Sequence, residues 1–313
     1  MLASLSVATL ASPLLQAEIF TYQSIIDPIA TTTRAYGISN SGVISGQAWG
    51  GSAGQETFSL SGGIFTHYMP LNGAGTYVGK IKNDNVIAGQ VAVPQSGGYN
   101  YEGFTINTAN GAVAAINVPG ASSTIAWAMN DSGVLVGGYS TATSNLSFVD
   151  NGGTFTTFGL GSGSSLFDIN NAGVSVGYYN DGTGTHGMVR SASGTIQTLD
   201  VPNSGLTEIF GINNLGHMVG ETAGGFCAGT GQGFCSFYYN GSTFSVLAVP
   251  GTVDTFAYGI NDSDQIVGEY LTSGNQNNGF LATSVSVSSA PEPGTMGLLV
   301  ACAGAMWIAR KKR

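Results

Sequence analysis

The chain has 313 residues, a formal net charge of −9, 49 glycines and only 8% charged residues. A soluble helical enzyme carries far more Lys, Glu and Arg, whereas abundant Gly, Thr, Ser, Asn, Val and aromatics suit short strands joined by tight turns. Four of the eight basic residues are Arg310, Lys311, Lys312 and Arg313, so the body from Glu18 to Ala290 holds four basic residues against sixteen acids, a net −12. Such a body repels phosphate backbones and excludes nucleic acid as a partner. A hydrophobic content of 42% supplies a core and argues against disorder.

Residues 1–17 read as an export signal. Leu2 to Leu15 are small or apolar and uncharged, and Ala17 offers a signal-peptidase site. No Lys or Arg precedes Arg34, so an apolar first strand is the alternative reading.

Residues 18–284 hold one nine-residue string six times. It reads ISNSGVISG from Ile38, IKNDNVIAG from Ile81, MNDSGVLVG from Met129, INNAGVSVG from Ile169, INNLGHMVG from Ile212 and INDSDQIVG from Ile260. The spacings are 43, 48, 40, 43 and 48 residues, the signature of a repeat architecture. The leading Ile or Met ends a strand, and the following Asn or Asp bonds its own backbone to start a turn. The fifth position is Gly42, Gly133, Gly173 or Gly216, with Asn85 and Asp264 as exceptions. These are the residue types that tolerate a left-handed backbone, so φ > 0 is expected there. An apolar pair then opens a return strand that closes on Gly46, Gly89, Gly137, Gly177, Gly220 and Gly268. Each string therefore predicts a hairpin.

Two further features keep the period. A Phe or Met follows at Phe58, Phe104, Phe148, Met188, Phe237 and Phe280, and a last strand runs near Phe65, Val113, Phe155, Ile196 and Phe244. The sixth copy of that last strand is at the start, from Ile19 to Pro28. Four strand candidates in about 43 residues describe a propeller blade. The displaced strand completes the last blade, and closure removes open sheet edges. The expected fold is all-β, a six-bladed propeller, with an open β-solenoid as the alternative. These units resemble HAF-type extracellular repeats, a likeness that implies location more than activity.

No nucleophile elbow, zinc helix or phosphate loop occurs, and neither a cofactor nor a metal is expected. Asp84, Asp131, Asp262 and Asp264 lie in the repeated turn as turn formers. The run Asn261-Asp262-Ser263-Asp264 offers oxygens but lacks the later Glu and the Gly of a calcium loop. Gln47, Gln90, Glu221 and Glu269 follow the closing Gly of four repeats and form a candidate ligand face. His217 reads as a partly buried strand residue, and His67 and His186 have no Asp or Ser partner at a motif spacing. Trp49, Tyr139, Tyr178, Tyr179 and Tyr270 follow the closing Gly at similar offsets and are candidates for sugar stacking, against packing between blades. Cys227 and Cys235, eight residues apart, are a candidate hairpin disulfide in an oxidising compartment.

Residues 285–293 form a linker ending in Pro291-Glu292-Pro293. An apolar run from Gly294 to Ala309 and the basic Arg310, Lys311, Lys312 and Arg313 follow. By the positive-inside rule this tail parks an exported body outside the inner membrane. The three-part order resembles the PEP-CTERM sorting signal. The resemblance implies cleavage by an exosortase near the triplet and a surface or biofilm-matrix setting rich in exopolysaccharide. The expected function is a non-catalytic envelope or matrix protein in contact with polysaccharide. The alternative is a propeller enzyme acting on glycans, a glycosidase or lyase.

Overall fold

Twenty-four short strands and one 3-10 turn (Gly225–Cys227) make up the regular structure among the described residues. The computed structural model describes residues 19–51, 55–68, 76–82 and 85–285, so both expected sorting segments lie outside the described residues. The strands form six four-stranded sheets within a body spanning Phe20–Thr283. Five sheets are sequential meanders whose innermost strands are Thr32–Ile38, Thr76–Ile81, Ser123–Met129, Gly163–Ile169 and Ser204–Ile212, defining blades 1 to 5. The sixth begins with Asp254–Ile260 and takes the N-terminal strand Ile19–Ile25 as its outermost member. The chain is thus a six-bladed β-propeller in which first and last strands share one blade. Tyr22 packs edge-on against Phe280 and Phe20 against Tyr238, fixing that strand by its aromatic residues.

The repeated string spans the turn from each innermost strand to the second, and its residues carry separable tasks. Gly42, Gly133, Gly173 and Gly216 have φ between 76° and 86°, and Asp264 has φ 54°, the left-handed turn position. The closing glycines stand opposite the recurring apolar residue on the third strand: Gly46 with Phe58, Gly89 with Phe104, Gly137 with Phe148, Gly177 with Met188, Gly220 with Phe237 and Gly268 with Phe280. Those six side chains are wholly buried. A Cβ at Gly46 would collide with the Arg34 carbonyl and the Phe58 ring. Gly and Phe are therefore one packing unit, and each Phe→Ala change costs roughly 3–5 kcal/mol.

The leading Asn does more than start its turn. Asn130 accepts the N–H of Ser132 and Val134 on Oδ1 and donates Nδ2 to the Asn170 carbonyl of the next blade. Asn170 repeats this toward Asn213, Asn213 toward Asn261, and Asn261 toward Ser39. A second belt lies beside the first. The N–H of Asp131 donates to Asn171 Oδ1, that of Asn171 to Asn214, that of Asn214 to Asp262, and that of Asp262 to Asn40. Asp131 and Asp262 are thereby bound into contacts between blades, while Asp84 lies outside the described residues. Each such bond contributes about 1 kcal/mol net when made, and more is lost when a buried partner is orphaned. A third recurrence is buried Thr: Thr33, Thr124, Thr207 and Thr255 accept the N–H of Asp27, Val118, Val201 and Val249, tying each incoming loop to its innermost strand.

Candidate functional site

The innermost strands surround an axial cavity of about 280 Å³ lined by Tyr36, Gly79, Lys80, Trp127, Phe167, Phe210 and Tyr258. The aromatic residues reach it by a common device. In blade 1 the register steps from Ala35–Gly46 to Gly37–Ser45, leaving Tyr36 out of the ladder as a bulged residue. The same step leaves out Trp127, Phe167, Phe210 and Tyr258. A bulge re-aims its extra side chain, and here five of them converge. Their rings touch in sequence around the axis: Trp127–Phe167 at 5.3 Å, Phe167–Phe210 at 5.0 Å, Phe210–Tyr258 at 5.3 Å and Tyr258–Tyr36 at 5.0 Å between centroids. Blade 2 interrupts the arc, its register shift falling between Val78 and Ile81 with Gly79 and Lys80 in the gap.

Buried charge occupies one end of the cavity. Asp168, wholly buried, lies 3.1 Å from Lys82 Nζ and 3.7 Å from Lys80 Nζ and accepts the N–H of Ile169 and Ile212. Lys80 also donates to the Phe210 carbonyl, and Lys82 to that of Ile212. Burial pulls the Lys80 ammonium down to about 8 even though Asp168 opposes the shift. Beyond these lysines the Asn and Asp belts leave only about 10 Å³ of open space. Among the described residues the channel is narrow at the turn end.

The other end is acidic. Glu208 and Glu221 are cross-strand partners in blade 5, both half-buried, and neither carboxylate has a hydrogen bond or ion pair among the described residues. Burial pushes Glu208 up to about 7; burial and then the charges of Glu208, Asp254 and Glu269 do the same to Glu221. Glu269 is bound instead: Arg34 Nε lies 2.6 Å from its Oε2, and Tyr258 Oη donates to its Oε1. Desolvation raises the Glu269 carboxyl, with Arg34 opposing. A second cavity of about 340 Å³ adjoins between blades 3 and 4, sharing Trp127, Phe167 and Glu208 and adding Tyr139, Asn145 and Tyr178. The second falls within the size range of small-ligand sites, roughly 300–1,000 Å³, and the axial cavity lies just below it.

Register places Gln47, Gln90, Glu221 and Glu269 opposite Arg34, Tyr77, Glu208 and Phe256, equivalent positions of four blades. Gln47, Gln90 and Glu269 are buried, and Glu221 is half-buried across from Glu208. Of the five aromatics after the closing Gly, Tyr139 and Tyr178 line the second cavity. Trp49 lies under Arg34, Tyr179 stacks on His186, and Tyr270 binds Ser24. The histidines have acidic partners, though at no motif spacing. His186 meets Asp200 at 2.8 Å and Asp181 at 3.3 Å, His67 meets Glu56 at 3.1 Å and Asp27 at 3.4 Å, and His217 meets Asp264 at 2.8 Å. The partners come from neighbouring strands and loops, which no linear spacing encodes. Cys227 and Cys235 are bonded to each other, tying the 3-10 turn of blade 5 to its third strand. The axial aromatics are not the residues after the closing Gly; each stands two residues before the leading Ile or Met.

The class defined is a six-bladed propeller with an axial channel narrow at the turn end, an aromatic arc and an acidic rim. No protein-family model and no curated protein sequence matches the chain. Among solved structures it is similar to an acylaminoacyl peptidase in complex with Z-Gly-Gly-Phe-chloromethyl ketone, with TM-score 0.50 and 11% identity over 82% of this chain and 44% of that one. The β-propeller domain of the trilobed protease from Pyrococcus furiosus gives TM-score 0.49 and 11% identity over 84% and 86%. A streptogramin B lyase gives 0.47 and 11% over 85% and 98%. Identities this low bear on fold alone.

Proposed function

We propose that this chain is an exported envelope or extracellular-matrix protein that binds polysaccharide without transforming it. The observation that carries this reading is the arc of five aromatic rings around the axial cavity, because sugar rings stack on such faces. Export is supported by the Cys227–Cys235 bond, since disulfides persist in oxidising compartments. It is supported too by the resemblance of residues 291–313 to a PEP-CTERM tail. In this reading residues 1–17 are removed on export. Residues 294–309 form an apolar helix that holds the body at the inner membrane until an exosortase cuts near Pro291-Glu292-Pro293. Each blade is one copy of a HAF-type unit of about 43 residues. Hydrolysis of glycans is less well supported: Glu208 and Glu221 stand side by side on one wall, whereas glycosidase carboxylates flank the scissile bond.

A panel of neutral, acidic and amino-containing oligosaccharides, titrated against the protein and its W127A variant, tests the binding. Saturable binding that W127A abolishes is expected; no binding by any member refutes it. Co-expression with an exosortase tests the sorting. The mass should fall by about that of residues 294–313, and an unchanged mass refutes that part.

A further inference from the structure

The geometry points to a saccharide carrying a cationic nitrogen as a ligand spanning the axial cavity and the adjoining cavity between blades 3 and 4, with the ammonium beside Glu208 where the two share Trp127 and Phe167, and Glu221 as the cross-strand partner of Glu208. This rests on the polysaccharide reading above and names the ligand class. Three observations lead to it. Five aromatic rings in contact with one another present their faces and edges to one cavity, and cations are attracted to aromatic faces, most strongly when desolvated. The cationic end of the channel is already satisfied: Lys80 and Lys82 are held by Asp168 and by backbone carbonyls, leaving no claim on a ligand. The acidic end is not. Glu208 lines the adjoining cavity, and Glu221 stands across from it.

Among the described residues, every charged group near this pair deepens the imbalance or is committed elsewhere. Asp254 and Glu269 of blade 6 are like charges for Glu221, and Tyr178 of blade 4 feels Glu208 as a neighbouring charge. Arg34 of blade 1 is consumed by Glu269 and lies over Trp49. Two half-buried carboxylates without a counter-ion are costly to ionise, which is why both sit at about 7. A bound cation would supply the missing partner, so the carboxylates ionise as it enters and protons are released at neutral pH.

The test uses the trimer of N,N,N-trimethylglucosamine, whose charge does not titrate, against the trimer of N-acetylglucosamine, by isothermal titration of the full-length protein. The cationic trimer should bind at least about tenfold more tightly, and its affinity should rise about tenfold between pH 5.5 and 8.5 as the carboxylates ionise. The E208Q/E221Q variant should lose both the preference and the pH dependence. Equal affinity for the two trimers, a pH-independent affinity, or a preference that survives E208Q/E221Q overturns the inference and leaves the polysaccharide reading in place. Failure of both trimers overturns the inference too. The polysaccharide reading falls with it only if the whole neutral, acidic and amino panel also fails to bind.

Discussion

Replacing Asp168 by Asn should destabilise the propeller, and by a different amount at pH 7 and at pH 9. The carboxylate is wholly buried between two ammonium groups, 3.1 Å from Lys82 and 3.7 Å from Lys80. Removing one partner of a buried ion pair typically costs about 3–5 kcal/mol, because the remaining charge is left uncompensated. One lysine has an escape. Lys80 is already pulled down to about 8 by burial with Asp168 opposing the shift, so without Asp168 it falls lower still and sheds its proton at pH 7 at little cost. Lys82 bears the rest, and a net loss of about 3 kcal/mol at pH 7 is expected. At pH 9 Lys80 is mostly neutral in the unaltered protein as well, so less is lost there. The sign for Lys80 itself follows from linkage. Its folded pKa lies below the ordinary 10.5, so the unfolded chain binds more protons between about 8 and 10.5, and stability rises with pH across that window. Urea unfolding followed by tryptophan fluorescence at the two pH values measures both effects. The triple variant K80M/K82M/D168N removes every charge at once and should lose less than D168N alone, since no buried lysine is then left without its counter-ion. A D168N variant within about 1 kcal/mol of the unaltered protein at both pH values would refute the charge-pair account of the Lys80, Lys82 and Asp168 cluster.

The acidic rim makes the opposite pH prediction. Glu208 and Glu221 titrate near 7 when folded against about 4.5 when unfolded, so their contribution is full below pH 4.5 and lost as pH rises through 7. E208Q/E221Q should therefore unfold at a higher temperature than the unaltered protein at pH 8 and at a similar one at pH 4; a lower melting temperature at pH 8 contradicts it. C227S/C235S removes an eight-residue cross-link and should cost about 2–3 kcal/mol on the loop-entropy model, read as a urea midpoint shift that disappears when both proteins are reduced. N213A withdraws two donors and the acceptor for the N–H of Leu215 and His217. It should cost roughly 2–3 kcal/mol, and a loss below about 0.5 kcal/mol would mean the inter-blade belt carries no stability.

Much of the frame was legible because its determinants are local and repeat in register. The turn glycines, the closing glycines and the buried Phe or Met each answer to backbone or packing demands within one blade. The displaced strand Ile19–Ile25 was legible too, since a missing element at one end matched a surplus element at the other. The Asn belts were half legible. Asn213 reads correctly as a turn former, but its donor group reaches Asn261 48 residues away, which needs the ring to be closed first. The pairing of Lys80 and Lys82 with Asp168 stayed hidden because it joins blades 2 and 4, whereas His186 meets Asp181 and Asp200, and His67 meets Glu56, through the local folding of a blade that no linear spacing encodes.

Closure also explains why the candidate site consists of departures from the repeat rather than of the repeat itself. A bulged residue stands outside the ladder, so Tyr36, Trp127, Phe167, Phe210 and Tyr258 can differ from blade to blade without disturbing strand pairing. The next position is Gly37, Ala128, Gly211 or Gly259 where innermost strands approach closely, and there blade 2 has Lys80 and blade 4 has Asp168. Blade 2 departs once more, with Lys82 where four other blades have Asn. A lone charge at either position would be buried without a counter-ion, at a cost of several kcal/mol. The departures of blades 2 and 4 therefore depend on one another, and together they fill one end of the axial channel. That end is electrostatically satisfied by the protein, and the acidic rim is not.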